Sequence, residues 1–419
     1  MRKIFRSADI LLPKVEDMTK WSVVACDQYT SEPEYWAELE RTVGSAPSAL
    51  HLMLPEAYLE TKNQFEEAER INKTMLDYVE NGIFEEIKDS YIYVERIQRN
   101  GKIRRGLIGV LDLEEYDYSL DSVSPIRATE GTVVDRLPPR VQVRRGACLE
   151  MPHIMVFIDD CEGKVITPLA EKAAELPKLY DFTASANGGH LRGWRINGSV
   201  ARELESAIDE LGDADKLRKR YGDKAPAIFA MGDGNHSLAT AKKCWEEIKP
   251  SLSEAECETH PARFGMVELV NIHDEAIEFE PIHKVVFDTE PSEFIAQMRE
   301  YWKGKQRESD KFHTIRLAVG DVREEIRVHG LTIGELIGLA EEFCVSYTSA
   351  HGGKIDYIHN DDTAENMGSR PGCAAVLLPA MEKGELFPSI INSGTFPKKS
   401  FSIGHAEDKR YYLEARVIR

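Results

Sequence analysis

The sequence predicts an α+β protein with mixed sheets and flanking helices. Three observations carry that prediction. Strand-like runs recur without the regular strand-helix-strand alternation of a doubly wound sheet. An Asn100-Gly101 pair joins two β-forming runs, a short-range hairpin signal. Several other stretches place apolar residues three and four apart, as one buried face of a helix requires.

Taken in chain order, Val23-Val24-Ala25 reads as a buried strand that opens into Cys26-Asp27-Gln28 before a helix start at Pro33. Over 61–82, Phe65, Ala68, Ile71, Met75 and Val79 predict an amphipathic helix closed by Asn81-Gly82. Residues 91–97 and 103–113 form the arms of the hairpin. One polar-faced helix is expected over 201–221, and a short buried strand over 227–231. Gly232-Asp233-Gly234-Asn235-His236 follows at once, and Leu238, Ala241, Trp245 and Ile248 then mark a helix. Further on, 265–270 reads as a strand and 278–287 as extended. A second hairpin is expected over 312–328, a helix over 331–343, and strands over 374–378 and 411–418. Weak boundaries near the Asn187-Gly188-Gly189 loop and near residue 290 suggest three lobes, 1–190, 191–290 and 291–419.

Composition narrows the function. Lys and Arg number 53 against 72 Asp and Glu, a formal charge of -19, so the mean field repels a polyanion and nucleic acid is not an expected partner. Any anion site must be local. The seven cysteines are scattered, with no C-x-x-C pair, which suggests free thiols and a cytoplasmic chain. No signal peptide or membrane-spanning run is apparent.

The 232–236 turn is the most informative stretch. A helix N-terminus offers backbone N–H groups and a partial positive charge to an anion, and flanking glycines let a phosphate approach. Asp233 can accept a proton or bind a metal, and His236 can donate to a phosphate or move a proton. The same residues also read as a cap and a packed histidine. Arg127, Thr129, Glu130, Arg136, Arg140, Arg144 and Arg145 concentrate cations in an acidic chain, either as an anion clamp or as a face paired with nearby acids. Asp27 and Gln28 stand at a strand end, where polar groups reach a cleft, and Cys26 is a weak nucleophile candidate. Lys398-Lys399 and Lys409-Arg410 add cations near the C-terminus.

Together these stretches resemble one family, the domain of unknown function family 1015. The resemblance rests on Val23-Val24-Ala25, Arg105-Gly106-Leu107-Ile108-Gly109, the 127–136 stretch, Leu191-Arg192-Gly193-Trp194-Arg195-Ile196, Asp233-Gly234-Asn235-His236, Pro281-Ile282-His283-Lys284 and the 397–401 segment. Many members carry D-G-H-H-R at the central turn, which resembles the phosphate-binding turn of the ParB and sulfiredoxin-like superfamily that includes free serine kinases. Asp233, Gly234 and His236 match that pattern; Asn235 replaces a histidine and Ser237 an arginine, a charge that Arg127 or Lys399 would have to supply. The resemblance implies a ParB-like core with large insertions, a nucleotide (ADP or ATP) with Mg²⁺, and phosphoryl transfer on serine, phosphoserine or another small phosphorylated metabolite. Asp233, His236 and Asp27 are then the catalytic candidates. Gly234, Asn235, Ser237, Arg127, Thr129, Glu130, Arg136 and Lys399 are the phosphate- or substrate-binding candidates. A non-catalytic nucleotide switch, a phosphatase without nucleotide and a thiol enzyme are the rival readings. The oligomeric state stays open.

Overall fold

The structure, a computed structural model, describes residues 3–59, 61–132 and 137–419. It is α+β, as expected, and divides into two compact units. The first comprises 1–128, 132–277 and 405–419; the second comprises 129–131 and 278–404. A boundary at 190 would cut through a sheet, because His190–Ile196 pairs along its length with Phe84–Ile97. The C-terminal residues also leave the expected third lobe: Tyr411–Tyr412 pairs with Val23–Val24, and Arg416–Val417 with Leu149–Glu150.

The first unit is built on one large mixed sheet. Its strands run in the order Lys178–Thr183, His190–Ile196, Phe84–Ile97, Ile103–Asp112, Phe264–Asn271, Met155–Ile158, Phe229–Asp233, Ile126–Arg127 and Tyr116–Asp117. The first five are antiparallel neighbours. Met155–Ile158 then runs parallel to Phe264–Asn271, and Phe229–Asp233 parallel to Ile126–Arg127. Successive side chains of a strand point to opposite faces, and here both faces are covered. Ile92 and Val94 belong to one apolar cluster, with Trp21, Trp36 and Met75; Tyr91 and Tyr93 belong to the other, with Trp194, Trp245 and Leu238. Burying each large apolar side chain stabilises the fold by about 1.5–3 kcal/mol, and Trp21, Trp36 and Trp245 are fully covered.

The hairpin forms as expected, with Gly101 at φ 82° in its turn. The 201–221 helix is in fact two, Gly198–Leu211 and Ala214–Tyr221, because Asp213 turns its carboxylate onto the Lys216 amide and starts a new helix.

The second unit holds an antiparallel five-stranded sheet in the order Val322–His329, Phe312–Val319, Cys373–Leu377, His283–Phe287 and Ile355–Ile358. The expected extended segment 278–287 divides after Pro281: Phe279–Pro281 pairs with Phe401–Ile403 and His283–Phe287 joins the larger sheet. The helix expected to end at 343 runs from Ile333 to His351, since Cys344 and Tyr347 continue its buried face until Gly352, at φ 82°, stops it. Among the described residues, no helix is long and apolar enough to cross a membrane.

Candidate functional site

The glycine-flanked turn joins the Phe229–Asp233 strand to the Asn235–Ile248 helix, as its sequence pattern suggests. Both glycines are required by geometry. Gly234 is the N-cap residue at φ 78°, and a Cβ there would lie 3.0 Å from Ile154 Cα. A Cβ on Gly232 would lie 2.7 Å from the Phe157 ring, at a point where the register with Met155–Ile158 shifts. Such an irregularity re-aims the following side chain, here Asp233, whose Oδ1 accepts the Gly234 N–H at 2.8 Å. Asp233 therefore braces its own turn rather than capping the helix, and Gly234 carries no side chain to cap the first turn. Asp233, Asn235, His236 and Ser237 are all half-buried.

Asp27 reaches the same place from the end of the Val23–Val24 strand. His153 lies beside it: its Nε2 is 3.6 Å from Asp27 Oδ2 and 3.5 Å from Ser237 Oγ, and its Nδ1 is 2.8 Å from the Tyr412 hydroxyl. Carboxylate and serine hydroxyl thus share one ring nitrogen. In a Ser-His-Asp relay they would occupy opposite nitrogens, so this constellation does not activate Ser237 as a nucleophile. Burial pulls the His153 pKa down, but the charge and hydrogen bond of Asp27, helped by Asp233, outweigh it and hold the imidazole above its ordinary value. Burial likewise pushes Asp27 up, and His153, Gln28 and Lys409 together bring it well below the usual carboxylate range. Each partner therefore favours the charged form of the other.

A second cation comes from the other end of the chain. Lys409 Nζ lies 3.3 Å from Asp233 Oδ2. Its backbone is held by two buried arginines of the central hairpin: Arg96 donates to the carbonyls of Glu407, Asp408 and Lys409, and Arg104 donates to Asp408 O at 2.6 Å. The Arg96 guanidinium also lies 4.8 Å from the Tyr411 ring centroid. The start of the helix thereby has His153 and Lys409 near it, with Asp27 and Asp233.

The remaining candidates have other partners where they are described. Arg127 is buried and donates to the carbonyls of Ser124 at 2.9 Å and Ala225 at 2.5 Å, and burial lowers its pKa. Thr129 and Glu130 belong to the second unit, where Thr129 O accepts the Phe396 amide and Glu130 Oε1 accepts the Lys399 amide at 3.1 Å. Lys399 itself lies with Nζ 4.8 Å from the Tyr357 ring centroid in that unit. Arg136 lies outside the described residues. The downstream arginines follow the paired-face reading: Arg140 meets Glu56, Arg144 meets Glu150 at 2.6 Å, and Arg145 meets Glu247 at 3.0 Å. Cys26 is pushed up to about 11 by burial and by Asp27, so its thiol stays protonated near neutral pH and the thiol mechanism loses its nucleophile.

Among the described residues, no three His, Cys, Asp or Glu side chains are grouped to hold a metal ion. Asp27 and Asp233 each face a cation, so the donor set does not form a cage for resident Mg²⁺. An ion arriving with a nucleotide would rest mainly on phosphate oxygens and water.

His153, Lys409 and Tyr412 are the site residues that sequence reasoning missed. His153 and Tyr412 stand 259 positions apart, a separation no local pattern reports. The Lys409-Arg410 pair was visible as charge, and its role follows from the strand pairing that returns the C-terminus to Val23–Val24.

A family model described as "Protein of unknown function (DUF1015)" matches residues 9–333. No curated protein matches the chain. Solved structures with partial similarity include a free serine kinase in complex with AMP, at 8% identity and TM-score 0.35, covering 73% of this chain and 90% of that one. SbnI with a C-terminal truncation, from Staphylococcus aureus, is 10% identical with TM-score 0.34 over 71% and 82% of the two chains. A conserved hypothetical protein from Pyrococcus furiosus is 9% identical with TM-score 0.33 over 72% and 92%. Similarity at this level carries no functional conclusion.

Proposed function

We propose that this chain, which belongs to the DUF1015 family, is an enzyme of phosphoryl transfer between a nucleotide and a small hydroxyl-bearing metabolite such as serine, with the reaction centred on the 233–237 turn. The observation that carries this reading is the joint approach of His153 to Ser237 and of Lys409 to Asp233, at a helix that begins at a left-handed glycine. Phosphoryl transfer asks a protein chiefly for position and for positive charge around the transferring group. The helix start at Gly234, with Asn235, His236 and Ser237, would cradle the phosphate. His153 and Lys409 would offset charge on its equatorial oxygens. Asp233 would take the proton of the attacking hydroxyl as its oxygen bonds to phosphorus and the bond to the nucleotide's bridging oxygen breaks, releasing ADP. Asp27, held ionised well below the usual range, is a poor base, and its role would be to keep His153 charged. Arg127 would stiffen the strand beside the turn.

The direct test is a thermal-shift titration with ATP, ADP, serine, phosphoserine and inorganic phosphate, with and without Mg²⁺, followed by assay of any binding pair for turnover. A ligand at 100 times its Kd stabilises the native state by about 2.7 kcal/mol. His236→Ala should abolish turnover and leave the melting temperature of the free protein nearly unchanged. Turnover that survives this change would remove His236 from the mechanism. Phosphate binding that needs no nucleotide, with release of phosphate to water, would turn the reading toward a phosphatase.

A further inference from the structure

Beside the turn, the first unit contains a pocket that the proposed chemistry does not use. It has a volume of about 170 Å³. Among the described residues, Cys26, His153 and Ser237 stand at one side, and the wall includes Leu52, Met53, Met75, Val143, Leu149 and Met151. The charged groups that also border it are already matched: Arg140 with Glu56, and Arg144 with Glu150, which is further held by Arg416. What remains is largely a hydrocarbon and thioether surface, with Cys26, His153, Ser237, Thr240 and Tyr412 as its other polar lining. An engineered apolar cavity of about 150 Å³ holds one benzene molecule, so this space takes a group of about six carbons.

Resting on the phosphate-site reading above, we propose that the hydroxyl-bearing substrate, and so its phosphorylated form, carries an aliphatic group of about six carbons, which this pocket binds while the phosphate lies at the 233–237 turn. Free serine, with one carbon beyond its Cα, leaves the pocket unfilled. A purine fits the wall less well than an alkyl chain, because much of its polar edge would face Leu, Met and Val side chains. Met53 and Met75 in the wall suit an unbranched chain, since their flexible thioethers adjust to irregular apolar shapes.

The experiment is a calorimetric titration of the full chain with inorganic phosphate and with methyl, butyl, hexyl, octyl and decyl phosphate. Affinity should rise about fourfold per added methylene until the pocket is full, near six carbons, and then level off. Val143→Phe, at a half-buried wall position, should level the series off earlier. Met75→Ala should move the plateau to longer chains, and it keeps the test alive if the first variant fails to fold. A flat series in a protein that still binds inorganic phosphate overturns the pocket assignment and leaves the phosphate site standing. Binding of alkanols with the same chain-length dependence, but of no phosphate, overturns the phosphate reading and with it the assignment of the tail to a phosphorylated substrate. AMP binding tighter than hexyl phosphate and lost in Val143→Phe overturns the aliphatic group in favour of a nucleobase.

Discussion

Arg263 with Asp112 and Lys409 with Asp233 pair the same kinds of charge in the same unit, but under opposite conditions. The Arg263 guanidinium meets both oxygens of Asp112, at 2.9 and 2.8 Å, and the two side chains are 2% and 0% exposed. Lys409 meets one oxygen of Asp233 at 3.3 Å, with 14% and 20% exposure. The first pair is bidentate and dry, so its bonding capacity is spent and its charges cannot be separated cheaply. The second is single, longer and wetted, and the lysine has donors left for a third party. Charge type alone therefore does not distinguish the two pairs; completeness of pairing and burial do.

The largest expected effect tests the closed pair. Asp112→Ala leaves Arg263 buried with its main counter-charge gone and should cost about 3–5 kcal/mol in urea unfolding; a loss below about 1 kcal/mol would show that water or Glu258, 3.2 Å from Arg263 Nη1, compensates. The open pair should respond in the other coordinate. Lys409→Met is expected to lower kcat/KM for phosphoryl transfer by about 10²–10³ while changing stability by less than about 1 kcal/mol. A large stability loss with undiminished turnover would make Lys409 structural.

The Asp27–His153 pair lies between these cases, and pH separates its contribution. Because the folded imidazole is held above its ordinary value, the pair's stabilisation is full below the unfolded value of about 6.5 and is lost as pH rises through the folded one. The urea midpoint should accordingly fall across that alkaline interval, and Asp27→Asn should flatten the fall. A wild-type midpoint that rises there would mean that His153 is held neutral. The smallest effect belongs to the exposed Arg145–Glu247 pair, 56% and 35% exposed. Arg145→Ala should change stability by less than about 1 kcal/mol and leave turnover unaltered; an activity loss would restore this arginine to the anion clamp.

Local chemistry was legible wherever it acts over a few residues. The Asn100-Gly101 hairpin, the helix over 64–80 and the strand-turn-helix at 229–248 all stand close to where spacing and turn residues put them. So was the importance of Gly234, since a backbone bend of that kind excludes most side chains. The misjudged elements were those in which a capping side chain or a distant partner competes with periodicity. Asp213 restarts a helix inside an apparently continuous one, and the pairing partners of Phe279–Pro281 and His283–Phe287 divide one extended run.

What the sequence determined by itself is the α+β class, the acidic field, the family resemblance and the glycine-flanked turn before a helix, because each follows from composition or from neighbours along the chain. Only tertiary structure decided which cations meet that turn. Arg127 is taken up by two carbonyls and the 140–145 arginines by acids, while His153 and Lys409 are brought in by strand pairing across most of the chain's length. A charge acts through distance in space and through burial, and neither is a property of its position in the chain.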